Sequence, residues 1–203
     1  MTSQMRHRVA EAAAQLLYYR HVREYKPAKD AAARRLGVAT LPSNREVAAA
    51  LDRLADEVEG PAREALRVAL RRDALTVMRR LQAFHPRLIG SVWRGTARQG
   101  SDIDLEVFSL DPDRVLRVLL AAYPRAWVED VARTAAGATA RFRHVHFLLP
   151  SGHLVEVVLH GFEARATRRI CEIYGDAIVG LTLPQLERVL ATDPAQRFLP
   201  KER

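Results

Sequence analysis

Two hydrophobic rhythms divide this chain. Up to about residue 84, apolar positions recur every three or four residues, the spacing that lays one helix face against a core. A first helix is predicted over residues 3–24, with Val9, Ala13, Leu16, Leu17 and Tyr18 as its apolar stripe. Pro27 suits the first turn of a second helix that runs to Leu36 and stops at Gly37. Ser43-Asn44-Arg45-Glu46 has the form of a capping box and opens a third helix at about 44–58. Gly60-Pro61 then starts a long helix to about Phe84, packing through Leu66, Leu70, Val77, Met78 and Leu81.

Between residues 86 and 160 the alternation shortens to two, the period of strands. Strands are expected at 87–90, 101–108 and 127–133, with a helix at 111–123 whose first turn carries Asp111 and Asp113. The clearest hairpin pairs 142–149 with 153–160 across a Pro150-Ser151-Gly152 turn. Short helices at 163–173 and 184–191 and a polar tail follow. The expected class is α+β, with a small mixed or antiparallel sheet. Its parts are a helical segment at 1–84, a core at 85–160 and a C-terminal helical segment at 161–203.

Composition adds modest bounds. The 203 residues are 48% hydrophobic, enough for a core, and no run of 18 apolar residues or signal-peptide pattern occurs. Cys171 is the one cysteine, which excludes a disulfide framework or thiolate metal site, so a cytoplasmic location is the default expectation. The net charge is +8, and residues 1–85 hold 16 Lys/Arg against 10 Asp/Glu. That excess suits a polyanion such as RNA, and equally a solvated helical surface.

The chemistry concentrates in Ile89-Gly90-Ser91 and the strand Asp102-Ile103-Asp104-Leu105-Glu106-Val107. Residues i and i+2 of a strand point the same way, about 6–7 Å apart. Asp102 and Asp104 therefore project together, while Ile103, Leu105 and Val107 face the opposite side. Like charges so placed call for a cation between them, and Mg²⁺ shared with phosphate oxygens is its natural identity.

The Gly90-Ser91 and Asp102-x-Asp104 elements, in this order and separated by about ten residues, strongly resemble the nucleotidyltransferase superfamily, which includes DNA polymerase β. The intervening Arg94-Gly95-Thr96-Ala97 and Gly100-Ser101 resemble its small prokaryotic branch. The resemblance spans about 86–160. It implies a polymerase β-like fold and two Mg²⁺ ions, with Mn²⁺ as a possible substitute. It further implies a nucleoside triphosphate substrate and transfer of its nucleoside monophosphate to an acceptor hydroxyl, releasing pyrophosphate. The family adds a third carboxylate from a neighbouring strand. Glu156, alone in apolar Leu154-Val155-Glu156-Val157-Val158, fits that place. Glu106 is the rival third ligand, and a salt bridge from Glu156 to Arg141 or Arg143 is the structural alternative. Catalytic and metal-binding roles thus fall to Asp102, Asp104 and Glu156.

Around them, Gly90 lets phosphate approach the backbone, and Ser91 offers a hydroxyl and N–H to it. Ser101 is included with the nucleotide-binding turn. Arg94 and Arg98 are candidates to neutralise pyrophosphate, and Trp93 either stacks on a base or packs in the core. His144 and His146 together suggest zinc, against a packing or substrate-contacting role. Arg165, Arg168 and Arg169 could hold an anionic acceptor or simply face solvent. The acceptor is left open among RNA, protein and small molecules, as is the oligomeric state, and no membrane partner is expected. The alternative function is a non-catalytic or antitoxin-like module of this fold acting through a protein partner.

Overall fold

Residues 2–135 and 138–201 are described by the structure, a computed structural model, with side chains described at 3–132 and 142–201. The packing divides the chain into two compact units, residues 1–63 with 170–177 and residues 64–169 with 178–203.

Three helices build most of the first unit: α1 (Thr2–Tyr18), α2 (Tyr25–Leu36) and α3 (Asn44–Glu59). The helix expected to reach residue 24 stops at Tyr18, because Arg20 adopts a left-handed conformation with φ 56°. Gly37 ends α2 in the same region of backbone space, where its N–H reaches the Ala33 and Arg34 carbonyls. The capping box forms at α3: Glu46 N–H donates to Ser43 Oγ at 3.2 Å, and Ser43 N–H donates to Glu46 Oε2 at 2.7 Å. Small residues let the helices approach closely, so the core joins Val9, Ala13, Ala28, Ala32, Val47 and Ala50. Arg63 is buried and splits its guanidinium between Asp52 and Asp56, at 2.6 Å each.

Helix α4 (Pro61–Arg80) follows, and its Leu70, Ala74, Val77 and Met78 pack in the core of the second unit. The chain then tightens into a 3-10 turn at Gln82–Phe84. Next come β1 (Arg87–Leu88), the short α5 (Gly90–Arg94), β2 (Ile103–Ser109) and α6 (Pro112–Ala122). Strands β3 (Trp127–Ala135), β4 (Ala138–Leu148) and β5 (Leu154–Gly161) precede a 3-10 turn at Phe162–Ala166. The unit closes with β6 (Leu181–Thr182) and α7 (Leu183–Thr192).

The fold is α+β. Its mixed six-stranded sheet has the order β3-β4-β5-β2-β1-β6, in which β2 and β5 run parallel and the other neighbours antiparallel. Alternation makes the sheet two-faced. Ile103, Leu105, Val107, Val145, Phe147, Val155 and Val157 are buried, sharing a core with Val115 and Leu119 of α6 and Leu186 of α7. Asp104, Glu106, His144, His146 and Glu156 alternate with them and take the other face.

Several elements differ from the sequence expectation. The helix expected at 163–173 is only the 3-10 turn, after which Ile170 pairs with Ala177 in a lone bridge that requires extended backbone. Strand β3 runs on to Ala135 and β4 begins at Ala138, in an Ala- and Thr-rich stretch without alternation to betray it. Strand β6 was not anticipated, being two residues long. No helix among the described residues is long and apolar enough to cross a membrane.

Candidate functional site

The parallel pairing of β2 with β5 sets Asp104 directly opposite Glu156. Directly opposed residues on neighbouring strands share a face of the sheet. Ile89 N–H donates to the Asp104 carbonyl at 2.9 Å, which carries the next residue, Gly90, over the same carboxylate. Gly90 has φ 68°, and a Cβ there would stand 1.9 Å from Asp104 Oδ2. Both the backbone angle and the space therefore demand glycine.

Asp102 lies just before β2, after a turn closed in both directions: Ser101 N–H reaches the Arg98 carbonyl at 2.9 Å, and Arg98 N–H reaches Ser101 Oγ at 3.0 Å. Burial pushes the Asp104 carboxyl up to about 8, and the negative charges of Glu156, Asp102 and Glu106 add to the rise. Such mutual repulsion in an all-oxygen donor set is what a hard divalent cation relieves. Asp102, Asp104 and Glu156 are the oxygen donors here that could hold Mg²⁺.

Glu106 has other partners. It is 1% exposed, contacts Arg169 through both guanidinium NH groups, and lies 3.2 Å from His160 Nε2. Burial alone would raise its carboxyl, yet the hydrogen bonds and positive charge from His160 and Arg169 hold it below the usual range. Glu106 is therefore bound in a buried ion cluster, which also occupies Arg169.

Glu156 bonds Nδ1 of His144. Arg143 pairs with Asp113 and Asp130, and the Arg141 side chain lies outside the described residues. The hairpin could have supplied this signal. Leu149 N–H bonds the His153 carbonyl, and counting back from that pair sets His146 opposite Glu156 with His144 two residues along the same face.

The nucleotide-binding candidates fare differently. Ser91 sits partly buried in the first turn of α5, its carbonyl taken by the N–H groups of Gly95 and Thr96. Arg98 is partly buried in the adjoining turn. Arg94 is 4% exposed, lies over the Trp93 ring at 4.2 Å and donates to the Phe198 carbonyl at 3.1 Å. Its described contacts secure the C-terminal segment, and Trp93 itself is in the core. Arg165 stands over Phe162, and Arg168 is exposed.

Arg71 is the residue that sequence reasoning overlooked. It is fully buried and donates to four carbonyls, those of Val92, Trp93, Pro194 and Gln196, at 2.7–3.1 Å. It thereby fastens the end of α5 to the C-terminal segment. Desolvation, with the nearby charge of Arg67, lowers its pKa to about 10, which still leaves it charged at neutral pH.

Comparison of the chain with protein families, curated proteins and solved structures finds no match.

Proposed function

We propose that this protein is a Mg²⁺-dependent nucleotidyltransferase with a polymerase β-like core, transferring a nucleoside monophosphate from a nucleoside triphosphate to an acceptor hydroxyl. One observation carries the reading: Gly90 sits against Asp104, and Asp104 lies opposite Glu156 on a parallel strand. A carboxylate pressed against a side-chain-free turn, with a second carboxylate opposite it, is suited to metal on one side and phosphate on the other.

In this reading Asp102, Asp104 and Glu156 hold the metal, as the donor set favours. Bound there, Mg²⁺ supplies charge neutralisation of the triphosphate and a lowered pKa for the acceptor hydroxyl. Gly90 gives the phosphates room beside the backbone, and the Ser91 hydroxyl orients them. Arg98, on the neighbouring turn, offsets charge on the departing pyrophosphate. The acceptor oxygen forms a bond to the α-phosphorus as the bond to pyrophosphate breaks, and the hydroxyl proton passes to solvent. Residues 1–85 carry 16 Lys/Arg against 10 Asp/Glu, but Arg63 and Arg71 are buried in internal contacts, so the acceptor is left open among RNA, protein and small molecules.

The test offers the four α-³²P-labelled nucleoside triphosphates with Mg²⁺, and in parallel Mn²⁺, to pools of RNA, proteins and small molecules. Label transfer that disappears in Asp104→Asn supports the reading. Absence of transfer to every pool, or equal transfer by Asp104→Asn, overturns it.

A further inference from the structure

The polar face of the sheet carries a second donor group beside the carboxylates. His144 and His146 are two residues apart on β4, so both imidazoles stand on one face, with ring centroids 6.2 Å apart. Glu156 on β5 is directly opposite His146 and bonds His144 Nδ1. One donor atom from each of these three residues falls within 4.8 Å of the other two. Such a spacing can close around one ion.

An independent feature points the same way. The Nε2 atoms of His144 and His146 are both buried, and neither has a hydrogen-bond partner. Buried polar atoms are ordinarily satisfied, so two orphaned imidazole nitrogens side by side call for an explanation. A neutral imidazole presents one lone pair, the form in which histidine binds metal, and Glu156 gives up its bond to His144 when it joins them as a ligand. The nearest acid to the His146 nitrogen is Glu129, whose exposed carboxylate is 3.8 Å away, beyond hydrogen-bonding range. Trp127 stacks on the His146 ring at 5.2 Å and limits its rotation.

We propose that His144, His146 and Glu156 form a binding site for Zn²⁺ or a similar first-row transition ion. Two imidazoles and one carboxylate are the donor set of such ions, whereas Mg²⁺ prefers oxygen alone. Three protein ligands leave a position open to water or a ligand atom. The site is distinct from the Asp102–Asp104 pair but meets it at Glu156. It does not depend on nucleotidyl transfer.

The test uses the full chain, stripped of metal and titrated with Co²⁺ as a spectroscopic substitute, then with Zn²⁺ in competition. One equivalent of Co²⁺ should give the intense d–d absorption of a low-coordinate site, and Zn²⁺ should abolish it. His144→Gln and His146→Gln should each weaken binding at least about tenfold, while Asp104→Asn changes it less than about threefold. Circular dichroism checks that each variant is folded. Should a histidine variant unfold, ring resonances of the wild-type protein supply the readout: Zn²⁺ should shift those of His144 and His146 and leave that of His153 in place. No absorption at stoichiometric Co²⁺, affinity unchanged in folded histidine variants, or unshifted His144 and His146 resonances would overturn the proposal. Label transfer with Mg²⁺ alone, measured on the same preparations, reports separately on the nucleotidyltransferase reading.

Discussion

Gly90 and Asp104 are in such close apposition that a Cβ at residue 90 would overlap Asp104 Oδ2, at 1.9 Å. Two requirements meet at this glycine, a φ of 68° and empty space on the side of the carboxylate. Gly90→Ala should therefore destabilise the protein by about 2 kcal/mol. It should also lower nucleotide binding in the fraction that stays folded. Denaturant melts and fluorescent-nucleotide titration check both, and a neutral melt would show that the turn can relax.

Asp104 links the site to pH. Its carboxyl titrates near 8 in the folded chain, against 3.8 for the free group, so between these values the folded state binds the extra proton. Stability of the metal-free protein should then fall as pH rises from about 4 to about 8. Asp104→Asn removes that slope. It should melt higher than wild type at pH 8.5, with the gap closing towards pH 4, and it should abolish label transfer. Melting curves at pH 4.5, 6.5 and 8.5 decide the first point, since a parallel offset at all three would contradict it.

Two glutamates on one face should separate cleanly. Glu156→Gln is expected to lose transfer nearly as completely as Asp104→Asn, since it removes the third carboxylate. Glu106→Gln should keep most activity per folded molecule but cost roughly 2–3 kcal/mol, because it weakens charged hydrogen bonds to Arg169 and His160. The reverse pattern would exchange their roles.

The same ion cluster predicts an acid limb. Glu106 titrates below its ordinary value in the folded chain, so its contribution is complete above about pH 4.5 and drains away as pH falls through the lowered value. Wild type should lose stability there more steeply than Glu106→Gln. Equal slopes in acid melts would show that the cluster carries no proton linkage.

Arg71 ties four carbonyls together, and removing it takes this donor from the buried carbonyls of Val92 and Trp93 and the part-buried ones of Pro194 and Gln196. Arg71→Met should cost about 3 kcal/mol or more. It should also make the segment after α7 the first place that a protease cuts, as limited proteolysis with mass spectrometry would detect.

The elements that the sequence announced are those with local chemistry. Ser43 with Glu46, Gly37 at a helix end and the 150–152 turn each act within a few residues, so pattern reading finds them. The Gly90 turn and the strand that carries Asp104 were legible for the same reason, whereas Asp102, expected within that strand, falls just before it. What escaped depends on distant partners. Arg63, Arg71 and Arg94 look like solvated cations in a basic chain, and only their pairing with aspartates or carbonyls lets them be buried. The His144–Glu156 contact needed the hairpin register, and β6 needed β1 as its template.

The parallel pairing of β2 with β5 has a temporal consequence. Between Asp104 and Glu156 the chain must complete α6, β3, β4 and the hairpin turn before the second carboxylate can reach the first. Long-range closures of this kind come late and slowly in folding. During synthesis, therefore, the acids stay apart until most of the sheet exists. A truncated or stalled chain ending before β5 would display the Gly90 turn, Asp102 and the β2 strand with Asp104, but no partner carboxylate opposite it.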